Sequence, residues 1–210
     1  MSKKSDDLFW ANPHIWVPNR DILKKLPHQL PRDCVAINGH VLALLTDEAT
    51  GEVRSFETEN LISDNGDLYY AYRGDPNGSV IPTTLFTDGT FAGFDGIIEY
   101  FTGGSTLTKG MDRSGLGTPV SGSQSAMEAG YPLRDDQTAA NTGKGTDVVS
   151  YKASYAAGVG TANTIATTCI TNPTPGASEN VLSAADFGAT FNKEAGDTLD
   201  IYINHQMNGS

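Results

Sequence analysis

The chain has 210 residues, with 14 Lys and Arg against 25 Asp and Glu and a formal net charge of −11. A chain of this length can bury a core without metals or disulfides. Its sparse basic residues, scattered apart from Lys3-Lys4 and Lys24-Lys25, argue against a nucleic-acid groove or an anionic membrane surface as partner.

Two cysteines, Cys34 and Cys169, lie far apart and outside any metal-ligand spacing, so they read as small apolar residues and no cofactor or metal is expected. The 23 glycines, with many Thr, Ser, Asn and Asp, signal frequent turns between short strands. Met1 to Asp7 lacks the apolar core of a secretory signal, and no run approaches the ~18 apolar residues of a membrane span, so synthesis in the cytoplasm is expected.

In chain order, the first element is an arm. Residues 1–33 carry Pro13, Pro18, Pro27 and Pro31, which remove backbone donors and bias the residues before them away from helix. Only Asp21 to Leu26 has the composition of a short helical turn. With Trp10, Ile15, Trp16 and Val17 the segment reads as an extended aromatic arm, either packed across its own domain or docked on another subunit. Those four residues are the candidate interface anchors.

Residues 34–210 read as one β-rich domain. Val35 to Leu45 is apolar enough for a buried strand, with a turn signal at Asn38-Gly39 inside it. Thr46 to Glu52 reads as a hairpin loop leading into Val53 to Thr58. The stretch from Asn60 to Tyr72 fits either a further turn and strand or a short helix capped by Asp64 or Asn65.

Phe91 to Phe101 reads as a central strand, bounded by Gly103-Gly104. From Ser105 to Thr146 the periodicity disappears, and such a long polar excursion in a compact domain is functional or mobile as a rule. Val148 to Tyr155 restores alternation, with Val149, Tyr151, Ala153 and Tyr155 on one face. Thr164 to Thr171 and Val181 to Phe187 follow as strands, separated by the loop-forming Asn172 to Gly176.

The last run, Leu199 to Met207, places apolar residues at every second position, the period of a strand with one buried face. The expected class is therefore all-β, as an antiparallel sandwich of Ig-like or jelly-roll type with an extended N-terminal arm.

Motifs that would carry chemistry are weak. Lys144 in Asn141 to Thr146 superficially resembles a phosphate-binding loop, but Thr138 and Gly145 stand where Gly and a hydroxyl residue are needed. Arg73-Gly74-Asp75 reads as an exposed turn rather than an adhesion motif. His14, His28, His40 and His205 lack metal spacing, and no Gly-x-Ser-x-Gly elbow is present. The adjacent acids at Asp6-Asp7, Asp47-Glu48 and Asp135-Asp136 mark solvated turns. No enzymatic activity is expected.

The C-terminal third resembles a module of tailed-bacteriophage virion structural proteins. The resemblance rests on Val148 to Tyr155 followed by Gly158, on Ile165 to Asn172, on Val181 to Phe187, and on Phe191-Asn192-Lys193 leading into Asp197-Thr198-Leu199. Asp47 to Gly51 before a strand, and Asn60-Leu61-Ile62 before Asn65-Gly66, resemble the N-terminal part of the same proteins. It implies a non-enzymatic virion component, such as a head decoration or fibre base or a neck or tail connector. Its partners would be copies of itself and other virion proteins. The competing expectation is a carbohydrate- or receptor-binding module in which Tyr69, Tyr70, Tyr72 and Trp16 stack on sugar.

Overall fold

A computed structural model describes residues 36–74, 81–82, 84–86, 93–134, 148–173 and 180–208. The arm with Trp10, Ile15, Trp16 and Val17 lies outside the described residues, as do Cys34, Asp75 and the Lys144 loop.

The chain opens with a long hairpin. Strand β1 (Ala36–Asp47) turns through Asp47 to Glu52 into β2 (Val53–Ile62). Asp47 holds the turn, because its Oδ1 accepts from the Ala49 amide at 2.8 Å and the Thr50 amide at 3.2 Å. Those bonds hold its carboxyl below the ordinary carboxylate range.

β1 runs straight through Asn38-Gly39, where a turn was expected. Both neighbours of β1 are in register there, with Gly39 opposite Asn60 on β2 and His205 on the last strand. The glycine serves close approach, since a Cβ on it would sit 1.1 Å from Asn60 Oδ1.

After β2 comes a helix, α1 (Asp64–Arg73), the second of the two readings for this stretch. Its cap is Ser63 rather than Asp64 or Asn65: Ser63 is extended and its Oγ accepts from the Gly66 amide at 3.0 Å. Asp64 and Asp67 then sit in the first turn, where the helix dipole favours acids.

The remaining strands are β3 (Ile97–Thr102), three two-residue strands β4 (Thr118–Pro119), β5 (Ser125–Ala126) and β6 (Leu133–Arg134), then β7 (Val148–Tyr155), β8 (Ala162–Thr171), β9 (Val181–Lys193) and β10 (Asp197–Asn208). All the pairings are antiparallel and join into one sheet, in the order β4-β3-β8-β9-β2-β1-β10-β7-β6, with β5 also on β3.

The all-β class is thus as expected, and its form is a curled half-barrel. Where a sandwich stacks two sheets, this sheet is continuous through β2, which pairs with β1 along Val53 to Asn60 and with β9 through Leu61 and Ile62. Register shifts in the β8–β9 and β3–β8 ladders let the sheet bend.

The interior is one apolar cluster from both halves, including Val41, Ala43 and Leu45 of β1, Ile98 and Tyr100 of β3, Tyr151 and Tyr155 of β7, Ile165 and Ile170 of β8, and Leu199, Ile201 and Ile203 of β10. The alternation expected over Leu199 to Met207 holds as far as Ile203, with Leu199, Ile201 and Ile203 buried and Asp200 and Tyr202 half-buried, and lapses at Asn204, which is buried next to His205. Tyr151, Ala153 and Tyr155 face the same core, with Val149 packed against it.

Strand β8 breaks the period-2 rule, since all of Ile165 to Thr171 is buried. Its outer face is covered by the first part of the polar excursion. Met111 and Leu116 pack there on Phe101, Cys169, Val181 and Ala184 in a second cluster. A 3-10 turn at Arg113–Leu116, capped by Asp112, positions Leu116.

Far from being unstructured, the excursion from Ser105 to Arg134 is stitched down. The Val120 amide donates to Tyr100 O at 3.2 Å, Ser123 Oγ to the same carbonyl at 3.0 Å, and the Glu128 amide to Lys152 O at 2.9 Å. It passes from the β3 margin to the β7 margin and so spans the open side of the half-barrel. No helix among the described residues is long and apolar enough to cross a membrane.

Candidate interaction site

Two places draw attention: a polar relay inside the barrel and an open seam on its wall. The relay starts at Tyr151, whose hydroxyl lies 3.0 Å from that of Tyr70. Tyr70 Oη also bonds His205 Nδ1. On the far side of the ring, His205 Nε2 lies 2.9 Å from Ser183 Oγ and 3.1 Å from Asn60 Nδ2.

A Ser–His contact at this distance has the form of a nucleophile and its base. Here both side chains are fully enclosed, and Asn60 shares the same ring nitrogen. Burial drives the His205 pKa from 6.5 down to about 3, so the imidazole is held neutral. Burial likewise pushes the Tyr70 and Tyr151 phenols upward. The relay therefore reads as a cross-tie between α1, β2, β7, β9 and β10.

The same packing engages three of the four aromatic residues expected on a sugar-binding surface, Tyr69, Tyr70 and Tyr72; Trp16 lies outside the described residues. Tyr69 is buried, with ring contacts to Phe86 and Phe94, and Arg73 Nε donates to its hydroxyl at 3.0 Å. Tyr70 is committed to the relay and Tyr72 packs against the core. Arg73 and the exposed Gly74 follow a helix where a strand was expected, and Asp75 lies outside the described residues. Cys169 is a free, buried thiol whose pKa is pushed up by burial, in keeping with a small apolar role.

The seam lies between β2 and β9. Their ladder consists of two residue pairs, Leu61 with Ala184 and Ile62 with Ser183. Toward the β1–β2 hairpin the strands splay apart, linked by Thr58 Oγ1 donating to Asp186 O at 2.9 Å. Between them lies an open groove lined by Arg54, Ser55, Phe56, Thr190, Phe191 and Asn192.

Its floor is a ring pair: Phe56 and Phe191 stack at 4.1 Å with planes 14° apart, and Phe187 meets Phe191 edge-on at 5.2 Å. Gly188, at φ +68°, kinks β9 beside the groove and leaves Ala189 and Thr190 exposed. Val53 on the facing strand is 56% exposed. Glu52, Glu57 and Glu194 stand exposed at this end of the molecule.

Sequence reasoning did not single out this groove, because neither strand announces that it parts from its neighbour. The one available signal was Phe187-Gly188, a glycine after the apolar run where the strand was expected to stop. No family model, curated protein or solved structure matches the chain.

Proposed function

We propose that this chain is a non-enzymatic structural component of a tailed-bacteriophage virion, acting through contacts between subunits. The observation that supports it best is the β2–β9 seam. Strand edges laddered on one side, over an aromatic floor, are surfaces that accept a further segment of chain.

The motif quoted for the resemblance also has a physical basis in the fold. In the turn from Lys193 to Asp197, Lys193 Nζ donates to Asp197 O at 2.6 Å and Asp197 Oδ2 accepts from the Glu194 amide at 2.8 Å. The buried lysine thus sets the entry of the last strand.

The reading is tested by purifying particles from the source and combining peptide mass spectrometry with cryo-EM. Density for the half-barrel in a repeated, symmetry-related position is the expected result. Particles that lack the chain would overturn the reading.

A further inference from the structure

We infer that the β2–β9 groove receives the N-terminal arm of a second copy of this chain, with Trp16 seated on the Phe56–Phe191 pair; the inference rests on the subunit-contact reading above. Three observations lead to it.

The first is charge. Residues 1–33 carry 6 Lys and Arg against 4 Asp and Glu, whereas residues 34–210 carry 8 against 21. The net −11 thus divides into +2 on the arm and −13 on the body, and Arg20, Lys24 and Lys25 follow Trp16 closely. The groove end presents Glu52, Glu194 and Glu57, the last beside His40, against the single cation Arg54 in the groove lining, so a basic arm is attracted where a whole like-charged subunit is repelled.

The second is chemistry. His14-Ile15-Trp16-Val17 is a β-branched and aromatic run between Pro13 and Pro18, suited to lie extended along a strand edge. Its alternation puts Ile15 and Val17 on one side and Trp16 on the other. A single large ring then meets the aromatic floor, and such ring pairs attract beyond plain area burial.

The third is reach and direction. The arm joins the body at Ala36, next to Asn208, whereas the groove lies at the other end of β1, where Ala43 and Leu45 pair with Phe56 and Arg54. The arm's point of attachment and the groove thus stand at opposite ends of β1. The 18 residues between Val17 and Ala36 span up to about 60 Å when extended. A domain of this size is about 40 Å across, so the arm reaches a neighbour. Passing an arm from each subunit to the next is a heterologous contact, which generates rings or open arrays.

The test uses full-length protein with Cys34→Ser. One copy, carrying an affinity tag, has Asn19→Cys in the arm; the other has Thr190→Cys beside the groove. The two are mixed and cross-linked with a short bismaleimide.

Covalent heterodimers are expected. Their yield should fall at least about five-fold when the arm-bearing copy also carries Trp16→Ala, as for an interface anchor. It should fall in about 0.5 M salt as well, where charges are screened. A Leu68→Cys partner, exposed on α1 away from the groove, sets the background.

Yield no higher than that background would overturn the inference. So would cross-linking confined to single chains in a doubly substituted Asn19→Cys, Thr190→Cys protein. Because no particle enters this experiment, cross-linking without incorporation into virions would count against the virion reading alone, and incorporation without cross-linking against the arm alone.

Discussion

His205 shows how a single residue can be functional in form and structural in effect. It lies at the centre of the sheet, opposite Gly39 on β1 and Val149 on β7, and touches Tyr70, Ser183 and Asn60. Its folded-state pKa is depressed from 6.5 to about 3 by burial. The unfolded chain therefore takes up a proton that the folded one refuses, and stability falls as pH drops from 6.5 toward 3, while above 6.5 the group adds no pH dependence. At pH 4.5 the loss amounts to about 3 kcal/mol. Urea melts at pH 7 and pH 4.5 should show this difference in the native protein and a correspondingly smaller one in His205→Asn. Equal slopes in the two proteins would mean that the ring is protonated inside the fold. The sequence offered His205 only as a histidine without metal spacing, on the apolar face of the last strand. Its hydrogen-bond partners come from three other elements, α1, β2 and β9, and no local pattern could name them. Asn38-Gly39 is strand and not turn for a related reason: a glycine that makes room for a distant side chain looks the same in sequence as one that makes a turn.

At the scale of elements, strands were legible whether they alternate or are dry on both faces, as β8 is from Ile165 to Thr171, where a strand was expected from Thr164 to Thr171; the ties between elements were not legible. β1, β7 and β10 lie within two residues of their expected ends, whereas β2 runs four residues past Thr58 to Ile62. The 105–134 excursion looked irregular because its order comes from tertiary ties rather than from periodicity. The strongest tie is Arg113 to Glu99, whose Nε and Nη2 donate to the two carboxylate oxygens at 2.6 Å and 2.7 Å. Glu99 is almost fully buried on β3, and Gln124 Nε2 donates to it at 3.3 Å. Removing Arg113 would strand a buried carboxylate, at a cost of about 3–5 kcal/mol. Arg113→Ala should therefore lower the urea midpoint sharply and open 105–134 to limited proteolysis, whereas the native protein is spared there. The double change Arg113→Leu, Glu99→Leu should recover much of the loss, since it removes the charge together with its partner. Cleavage of the native protein within 105–134 would show that the ties are weaker than their geometry.

For the whole molecule, the order of strands matters more than their number. The first and last strands of the domain pair over twelve residues in the middle of the sheet, and β10 has β1 on one side and β7 on the other. The half-barrel cannot close until the last segment is in place, so folding depends on contacts between opposite ends of the chain and belongs to the slow, non-local class. The alternation of Leu199 to Met207 made this strand the most legible in the sequence, because it must match a neighbour on each side while keeping one face in the core. Ile201 is the sharpest probe: it is fully buried, stands between Ala43 and Ala153, and belongs to the main cluster. An unpaired carboxylate there costs several kcal/mol, against a total stability of about 5–15 kcal/mol for a domain. Because both flanking ladders depend on β10, the loss cannot be confined to a frayed edge. Ile201→Asp should thus abolish cooperative melting, with far-UV circular dichroism losing its β signal. Asp200→Asn, one residue away on the outer face, should leave the melt nearly unchanged. A soluble Ile201→Asp protein that melts at the native midpoint would show that the core does not run through β10.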